Sequence, residues 1–289
     1  MDIEVEDGRS EDENAARRGP RSLRRLVLST SVLSKSDGSA LVELGQTKVL
    51  CSVRGPRAAA ASSLGGGGGG FQEGGALRCE VRYAPGSGVR AETAASSACG
   101  PVESSFPGSG FGGGGGSSSA AAQAEESELS RRLYDAIAPA VRVEHLAKSV
   151  VDLYCSVLQA DGAVLPACVA AASLALADAA VEMDDIVACC SMAALEVAYG
   201  DGATRENGGQ EEGQALLTLL ADPTEEEIIE STGTVTIAMI PNFREVTLWE
   251  QTGKLSPSDS SAAIEMCRDG CATMHQFMRR CLVKADIEK

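Results

Sequence analysis

Apolar and polar residues alternate in several short runs of the chain, and this alternation is typical of half-buried β-strands. The clearest run is SVVDLYCSVLQ, in which Val151, Leu153, Cys155 and Val157 share one face. Two β-rich runs, SALVEL and KVLCSV, flank Gly-Gln-Thr and predict a hairpin. Further strands are predicted for RLVLSTSVL, LRCEVRYAP, DIVACCSMAALEV, ALLTLLADP, GTVTIAMIP and REVTLWEQTG.

Three segments have a helical pattern instead. One helix is predicted over residues 125–138, and a second, rich in small residues, follows Gly162. The third has Pro257 in its first turn and Ser256 or Ser258 as its cap. Its apolar stripe contains Ala263, Met266, Cys267, Gly270, Met274, Phe277, Met278 and Cys281. Strands and helices in this order predict a mixed sheet covered by helices, which is an α+β fold.

The amino-acid composition indicates which residues form the core of this fold. Of the 289 residues, 44% are hydrophobic but only 3% are aromatic, so the core is expected to consist of Ala, Val, Leu and Cys. The longest apolar run, 163–180, contains Pro166, Ser173 and Asp178 and is interpreted as a buried helix rather than a membrane span. Ten cysteines without zinc-ribbon spacing, and an N-terminus without an apolar core, predict free thiols in a reducing compartment.

Charge and low-complexity segments mark the parts outside the core. The net charge of −16 argues against nucleic-acid binding by bulk charge, although it leaves room for a local basic patch. Residues 1–20 are predicted to be a disordered acidic tail, and residues 21–289 the folded domain. Gly/Ser-rich insertions near 62–75 and 100–124 are predicted to be flexible surface loops, because they cannot bury apolar surface.

Each candidate catalytic or metal-binding group has a simpler structural interpretation. Cys267, Cys271 and His275 recur every four residues, but the outer two lie about 12 Å apart along a helix, too far to bind one ion. We therefore interpret them as core residues. His145 and His275 are the only histidines, and neither lies in a nucleophile motif. Glutamates 225–227 are typical of a solvated helix start, where negative charge suits the helix dipole.

Four arginines are candidates for phosphate binding. Arg54 and Arg57 lie in VRGPR, and Arg82 and Arg90 follow in the next strand region. All four come near strand ends, where they could share a groove and bind phosphates through their guanidinium forks. Ordinary surface arginines or structural ion pairs explain the spacing equally well, so the sequence leaves both interpretations open.

Several segments, taken in their order along the chain, also match the sequence pattern of a known protein family. These segments are GSALVELGQTKVLCSVRGPR, LRCEVRYAP, LSRRLYDAIAPAV, LQADGAVLPACVAAASLALADAAVEMDDIVACC and LADPTEEE with TVTIAMIPNFREVTLWEQTGKL. Together they resemble the RNase PH family, over most of residues 21–285. The resemblance implies an α+β fold of the ribosomal protein S5 domain 2-like type, with mixed β-sheets packed with helices. It also implies two related halves, about 21–183 and 184–285, and assembly into six-membered rings.

Active members of this family are phosphorolytic 3′→5′ exoribonucleases, and the chain departs from them at two places. The family binds phosphate at Gly-Thr-Arg followed by Ser or Thr, whereas this chain has Gly162, Ala163, Val164 and Leu165, a vestigial phosphate loop. The family aspartate before VTIAMIP is also missing, since residues 231–234 are Ser-Thr-Gly-Thr. Asp222 matches another acidic family position but is expected to lack its partners. Phosphorolysis is therefore not expected.

Among family branches, the segments most resemble eukaryotic exosome ring subunits of the mRNA-transport-regulator type. This resemblance implies a non-catalytic structural subunit of the RNA exosome core ring, which supports 3′–5′ RNA processing and degradation. Implied partners are other RNase PH-like ring subunits, S1/KH-type cap subunits, associated hydrolytic RNases and RNA, in the nucleus, nucleolus and cytoplasm. No cofactor or metal is expected. The alternatives are an active phosphate-dependent 3′–5′ exoribonuclease and a stand-alone RNA-binding adaptor.

Overall fold

Two sheets and four helices form the structure, a computed structural model that describes residues 3–4, 19, 22–58, 75–87, 117–146, 148–197 and 216–287. The strands are β1 (Ile3–Glu4), β2 (Leu26–Thr30), β3 (Gly38–Leu44), β4 (Thr47–Ala58), β5 (Ala76–Tyr83), β6 (Ser149–Gln159), β7 (Ala188–Val197), β8 (Leu216–Ala221), β9 (Gly233–Ile240) and β10 (Glu245–Gly253). The helices are α1 (Ser117–Ile137), α2 (Val164–Asp178), α3 (Glu225–Glu230) and α4 (Pro257–Ile287), with 3-10 turns at Ala138–Ala140 and Val143–His145.

The first sheet has six strands in the order β1-β2-β3-β4-β6-β5. Its pairs are antiparallel except β5 and β6, which run parallel, so the predicted mixed sheet is confirmed. The alternation predicted for β6 is also confirmed, because Val151, Leu153, Cys155 and Val157 are all buried. These side chains set one face of the sheet toward the core and leave the other face to polar residues.

The second sheet has four antiparallel strands in the order β10-β9-β7-β8. Helix α2 lies between the sheets and packs against β3 and β4 of the first and β7 of the second. Its small residues permit close approach: a Cβ on Gly38 of β3 would lie 2.3 Å from the Ala175 carbonyl oxygen. Helix α4 covers β7 and β9 and also contacts β2. The core is accordingly rich in Ala, Val, Leu and Cys, as the composition predicts.

Helix α4 starts as predicted, but its buried stripe differs in detail. The Ser256 hydroxyl accepts the Asp259 amide at 3.2 Å, which caps the helix before Pro257. Its buried residues are Ala263, Cys267, Cys271, Met274, His275, Met278 and Cys281, whereas the predicted Met266, Gly270 and Phe277 are only half-buried. The helix packs against strands of both sheets, and this contact widens the buried face beyond one stripe.

Two boundaries predicted from composition are wrong. Helix α1 begins at Ser117 rather than near residue 125, so residues 117–124 of the predicted flexible insertion are helical. The segment is rich in Ala, and Ala favours continuation of a helix that has already started. Ile3 and Glu4 of the predicted disordered tail form β1 and pair with Leu28 and Val27. Residues 62–74, 100–116 and most of 1–20 lie outside the described residues.

Every cysteine within the described ranges is a free thiol, as predicted. No helix in the described part of the chain is long and apolar enough to cross a membrane.

Candidate functional site

The turn between β6 and α2 has the backbone shape of an anion-binding loop. Gly162 and Ala163 adopt left-handed conformations with φ of +68° and +45°. A Cβ on Gly162 would lie 2.5 Å from the Pro223 carbonyl oxygen, so glycine is required both by its backbone conformation and by this contact. Ala163 occupies the N-cap of α2 and offers no side-chain acceptor. The turn therefore combines a backbone that requires glycine with a helix start that has no side-chain cap.

The side chains of this turn cannot supply a fixed cation or hydroxyl. Leu165, in the first turn of α2, is only 7% exposed and belongs to the core. Pro166 lacks a backbone N–H and so removes one donor from the helix start. The next hydroxyl, Ser173, donates to the Val187 carbonyl oxygen at 3.0 Å and is fully buried. The turn therefore presents an apolar helix start where phosphate chemistry would need polar groups.

A buried arginine from the segment before β2 closes this turn. The Nε and Nη2 atoms of Arg24 bind both carboxylate oxygens of Asp222 at 3.0 and 2.8 Å, and its backbone N–H donates to the same carboxylate at 3.1 Å. Its Nη1 donates to the Asp161 carbonyl oxygen at 2.6 Å and contacts the Asp161 carboxylate at 3.2 Å. The side chains of Arg24 and Asp222 are only 8% and 4% exposed. This guanidinium is thus fully engaged by the protein itself.

Asp222, which was expected to lack the partners of the family's acidic position, is held by Arg24 instead. Its partner, Arg24, lies 198 positions earlier in the sequence, so no local motif could reveal the pair. Thr47 adds a second clamp: its hydroxyl donates to the Gly162 carbonyl oxygen at 2.8 Å and accepts the Asp161 amide at 3.1 Å. Together these bonds join β2, β4, the α2 turn and the segment before α3.

The segment before β9 holds hydroxyls that serve the local backbone. Ser231 donates to the Ile228 carbonyl oxygen at 2.7 Å, and Thr232 donates to the Ala194 carbonyl oxygen at 3.1 Å. The preceding acidic run forms α3, and Thr224 and Glu227 make a reciprocal capping box at its start. The interpretation of glutamates 225–227 as a helix start is therefore confirmed.

Two of the four predicted arginines lie together on β4. Arg57 forms an ion pair with Asp152 of β6, whose carboxylate is 4% exposed, whereas the Arg57 side chain is 59% exposed. Arg54 is exposed, and its Cα lies opposite that of Asp152 in the β4–β6 register. No ion pair of Arg54 occurs among the described residues. Arg78 of β5 also lies opposite Asp152, from the other side.

The third predicted arginine, Arg82, lies on the neighbouring strand β5. Arg82 of β5 is held by Glu80 at 2.8 Å and by Glu126 of α1 at 3.1 Å. These hydrogen bonds and charges raise the pKa of Arg82 further and occupy its guanidinium. Arg90 lies outside the described residues. A common groove of the four arginines therefore stays a prediction, with Arg54 and Arg57 on β4 and Arg82 on β5.

The cysteines and the buried histidine of α4 act as core residues, as predicted. The Cys267 thiol donates to the Val235 carbonyl oxygen at 3.7 Å, and the Cys271 thiol donates to that of Ile237 at 3.4 Å. Burial raises the pKa of Cys271, so this thiol stays protonated near neutral pH. His275 contacts the Asp185 carboxylate at 3.3 Å. No cluster of metal-ligating side chains occurs within the described ranges.

Sequence reasoning missed Arg24, Thr47 and Asp152. A weak signal existed for Asp152, which is the one charged residue in the otherwise apolar or uncharged run SVVDLYCSVLQ. A charged side chain at such a position needs a partner. Arg24 gave no comparable signal, because it stands in a generally basic segment, RSLRRL.

Comparisons with known proteins show similar sequences and a similar fold. A model of the 3′ exoribonuclease family, domain 1 (RNase PH), matches residues 22–182. The exosome complex component MTR3 of Mus musculus is 32% identical over 282 residues, which cover 95% of this chain and 88% of that protein. The exosome complex component Rrp41 of Cenarchaeum symbiosum (strain A) is 27% identical over 274 residues, covering 94% and 92%. The crystal structure of rice (Oryza sativa) Rrp46 has a similar fold, with a TM-score of 0.64 at 18% identity over 92% of this chain and 97% of that one.

Proposed function

The chain belongs to the RNase PH (3′ exoribonuclease) family, and from this membership we propose that it is a catalytically silent, structural subunit of an exosome core ring. Similarity to exosome complex components over nearly the whole chain supports the assembly part of this proposal. Its work is to close the ring and to build the barrel that guides RNA during 3′–5′ processing, including that of ribosomal RNA, and degradation.

The observation that carries the catalytic part is the occupied turn at the start of α2. Phosphorolysis needs a cation and hydrogen-bond donors that remain available to the attacking phosphate. At this turn Leu165 is buried in the core, and the nearby Arg24 is bound to Asp222 and Asp161. Residues 231–234 add no carboxylate. The turn then serves as an architectural joint between the two sheets.

The partners follow from this role. We expect other RNase PH-like subunits on either side, S1/KH-type cap subunits on one face, and associated hydrolytic RNases and RNA. Arg54, Arg57, Arg82 and Arg90 are the proposed RNA contacts, with Arg54 the strongest because it is exposed and no ion pair of it occurs among the described residues. The proposed locations are the nucleus, including the nucleolus, and the cytoplasm.

Affinity purification of the tagged full chain with mass spectrometry tests the assembly. Other ring and cap subunits should be recovered with it, and the complex should elute far above the size of one chain. Recovery as a free monomer, or with RNA alone, would contradict ring membership and favour a stand-alone adaptor.

An activity assay tests the silence of the site. The purified chain, alone and in its ring, is incubated with single-stranded RNA with and without inorganic phosphate. The chain alone should release no nucleoside diphosphate in either condition. Phosphate-dependent release by the chain alone would refute the structural role and support an active exoribonuclease.

A further inference from the structure

The strand register places one arginine on each side of an aspartate. In the first sheet β6 lies between β4 and β5, and Asp152 of β6 is opposite Arg54 on one side and Arg78 on the other. Adjacent strands are about 4.8 Å apart, so the three Cα atoms form a row roughly 10 Å long. Directly opposite residues share a face of the sheet, so all three side chains project from the same face.

This face is the one turned away from the apolar core. The neighbours of the row along each strand, Val53, Leu153 and Leu77, are buried in the core and point to the opposite face. Arg54 and Arg78 are exposed. Asp152 itself is only 3% exposed, with the guanidinium of Arg57 bound to its carboxylate. The Asp152 carboxylate is therefore the buried part of the cluster, and the arginines are its exposed part.

The cluster is positive although the chain is strongly acidic. Three arginines, Arg54, Arg57 and Arg78, lie around one aspartate on a chain with a net charge of −16, so arginines outnumber carboxylates along this row. The nearby Asp37 carboxylate accepts the Gly55 amide at 2.8 Å, and even with it the guanidinium groups outnumber the carboxylates. A local field of this kind attracts a flexible polyanion to a defined place on the surface.

An exposed aromatic ring continues the same face. Tyr154 lies two residues beyond Asp152 on β6 and is 38% exposed. In the register it lies opposite Ser52 of β4 and Glu80 of β5, so the ring is flanked by polar residues rather than packed into the core. Arginines that hold a backbone, next to an aromatic ring that stacks a base, are the combination that binds single-stranded nucleic acid without sequence preference.

We propose that Arg54, Arg57 and Arg78, held around Asp152, bind the phosphodiester backbone of single-stranded RNA, and that Tyr154 stacks one of its bases. Arg78, Asp152 and Tyr154 are new members of this site, which rests on the proposed function as an RNA-guiding subunit. Asp152 acts as the internal counter-ion: its carboxylate binds the Arg57 guanidinium and lowers the net positive charge of the RNA-binding surface. An acidic protein segment would match the charge, but it would leave the exposed ring of Tyr154 without a planar partner.

RNA binding to the full chain and to its assembled complex tests the proposal. Fluorescence anisotropy with a labelled single-stranded polyadenylate RNA is measured from about 50 to 200 mM salt. We expect Arg54→Ala and Arg78→Ala each to weaken binding about tenfold at low salt and to reduce the salt slope by about one. Tyr154→Ala should weaken binding about tenfold without changing the salt slope, since stacking releases no counterions.

Asp152→Asn gives the opposite expectation, because it removes the counter-ion: binding should tighten and the salt slope should steepen. Matched controls come from α1, where Arg131 is an exposed, ion-paired arginine and Tyr134 is 43% exposed. Arg131→Ala and Tyr134→Ala should bind RNA like the unmodified chain. Circular dichroism of each variant establishes that the fold is retained.

Three outcomes would overturn the proposal: unchanged RNA binding in both Arg54→Ala and Arg78→Ala, equal losses in the α1 controls, or weaker binding in Asp152→Asn with its fold retained. Loss of a neighbouring subunit, with RNA affinity intact, would assign the face to a protein partner and also overturn it. Failure of the unmodified chain to join a ring would refute the proposed function. RNA binding by the isolated chain and its variants would still test the arginine row.

Discussion

Truncating Arg24 to alanine should destabilise the fold more than any exposed arginine substitution in this chain. The change removes both side-chain bonds to Asp222, at 2.8 and 3.0 Å, and both contacts with Asp161, at 2.6 and 3.2 Å. The backbone amide of residue 24 would still donate to the Asp222 carboxylate, but its bidentate ion pair would be lost. Because that carboxylate is only 4% exposed, water cannot replace the lost guanidinium unless the segments joined by the ion pair separate.

The magnitude follows from the burial of both partners. Removing one member of a buried, hydrogen-bonded ion pair typically costs about 3–5 kcal/mol, mainly because the other charge stays buried without compensation. With side-chain exposures of 8% for Arg24 and 4% for Asp222, the pair is of this kind. Replacing both partners by apolar residues, as in Arg24→Met with Asp222→Leu, should cost less than Arg24→Ala alone, because no charge is then left buried.

Urea unfolding followed by circular dichroism measures these free energies, and Arg24→Met, Asp222→Leu and their double variant form a double-mutant cycle. Arg131→Ala on α1 is the control, since its ion pairs with Glu128 and Asp135 are exposed and should contribute less than about 1 kcal/mol. If Arg24→Ala is no more destabilising than Arg131→Ala, or if the cycle shows no coupling, the account of the turn as a buried ionic joint is refuted.

Two further predictions concern the turn glycine and the buried thiols. Gly162→Ala should cost more than about 2 kcal/mol in urea unfolding, because a Cβ would lie 2.5 Å from the Pro223 carbonyl oxygen at a φ of +68°. Gly86→Ala, with φ of +87° and no atom within 4 Å, isolates backbone strain and should cost only about 1 kcal/mol; equal losses would contradict the contact. Burial raises the pKa of the Cys168 and Cys189 thiols above 9.0, so the stability they contribute is present below pH 9 and is lost as the pH rises further. Above pH 9, each thiol should lower the free energy of unfolding by up to about 1.4 kcal/mol per pH unit. In the double variant Cys168→Ala, Cys189→Ala, the free energy of unfolding should fall less steeply with pH. An unchanged slope in that variant would contradict the role of the two thiols.

The sequence by itself determined the order and type of the elements. Strand β6 was predictable because alternation over SVVDLYCSVLQ is a local property of the chain, and Val151 to Val157 indeed face the core. The starts of α3 and α4 were predictable because capping depends on residues only three positions apart, such as Thr224 and Glu227. The family resemblance implied a missing phosphate-binding arginine for the same reason, since that motif is contiguous.

The tertiary structure alone decided which charges meet. Arg24 and Asp222 are 198 residues apart, and Arg54, Asp152 and Arg78 come together only through the register of three strands whose order in the sheet, β4-β6-β5, differs from their order in the chain. A one-residue shift in register would turn either arginine to the other face, so spacing along the sequence could not predict this row. Local patterns therefore predicted elements such as β6 and α4, whereas long-range pairing determined that the turn before α2 is closed by an internal ion pair and that Arg54 and Arg78 share one face of the sheet.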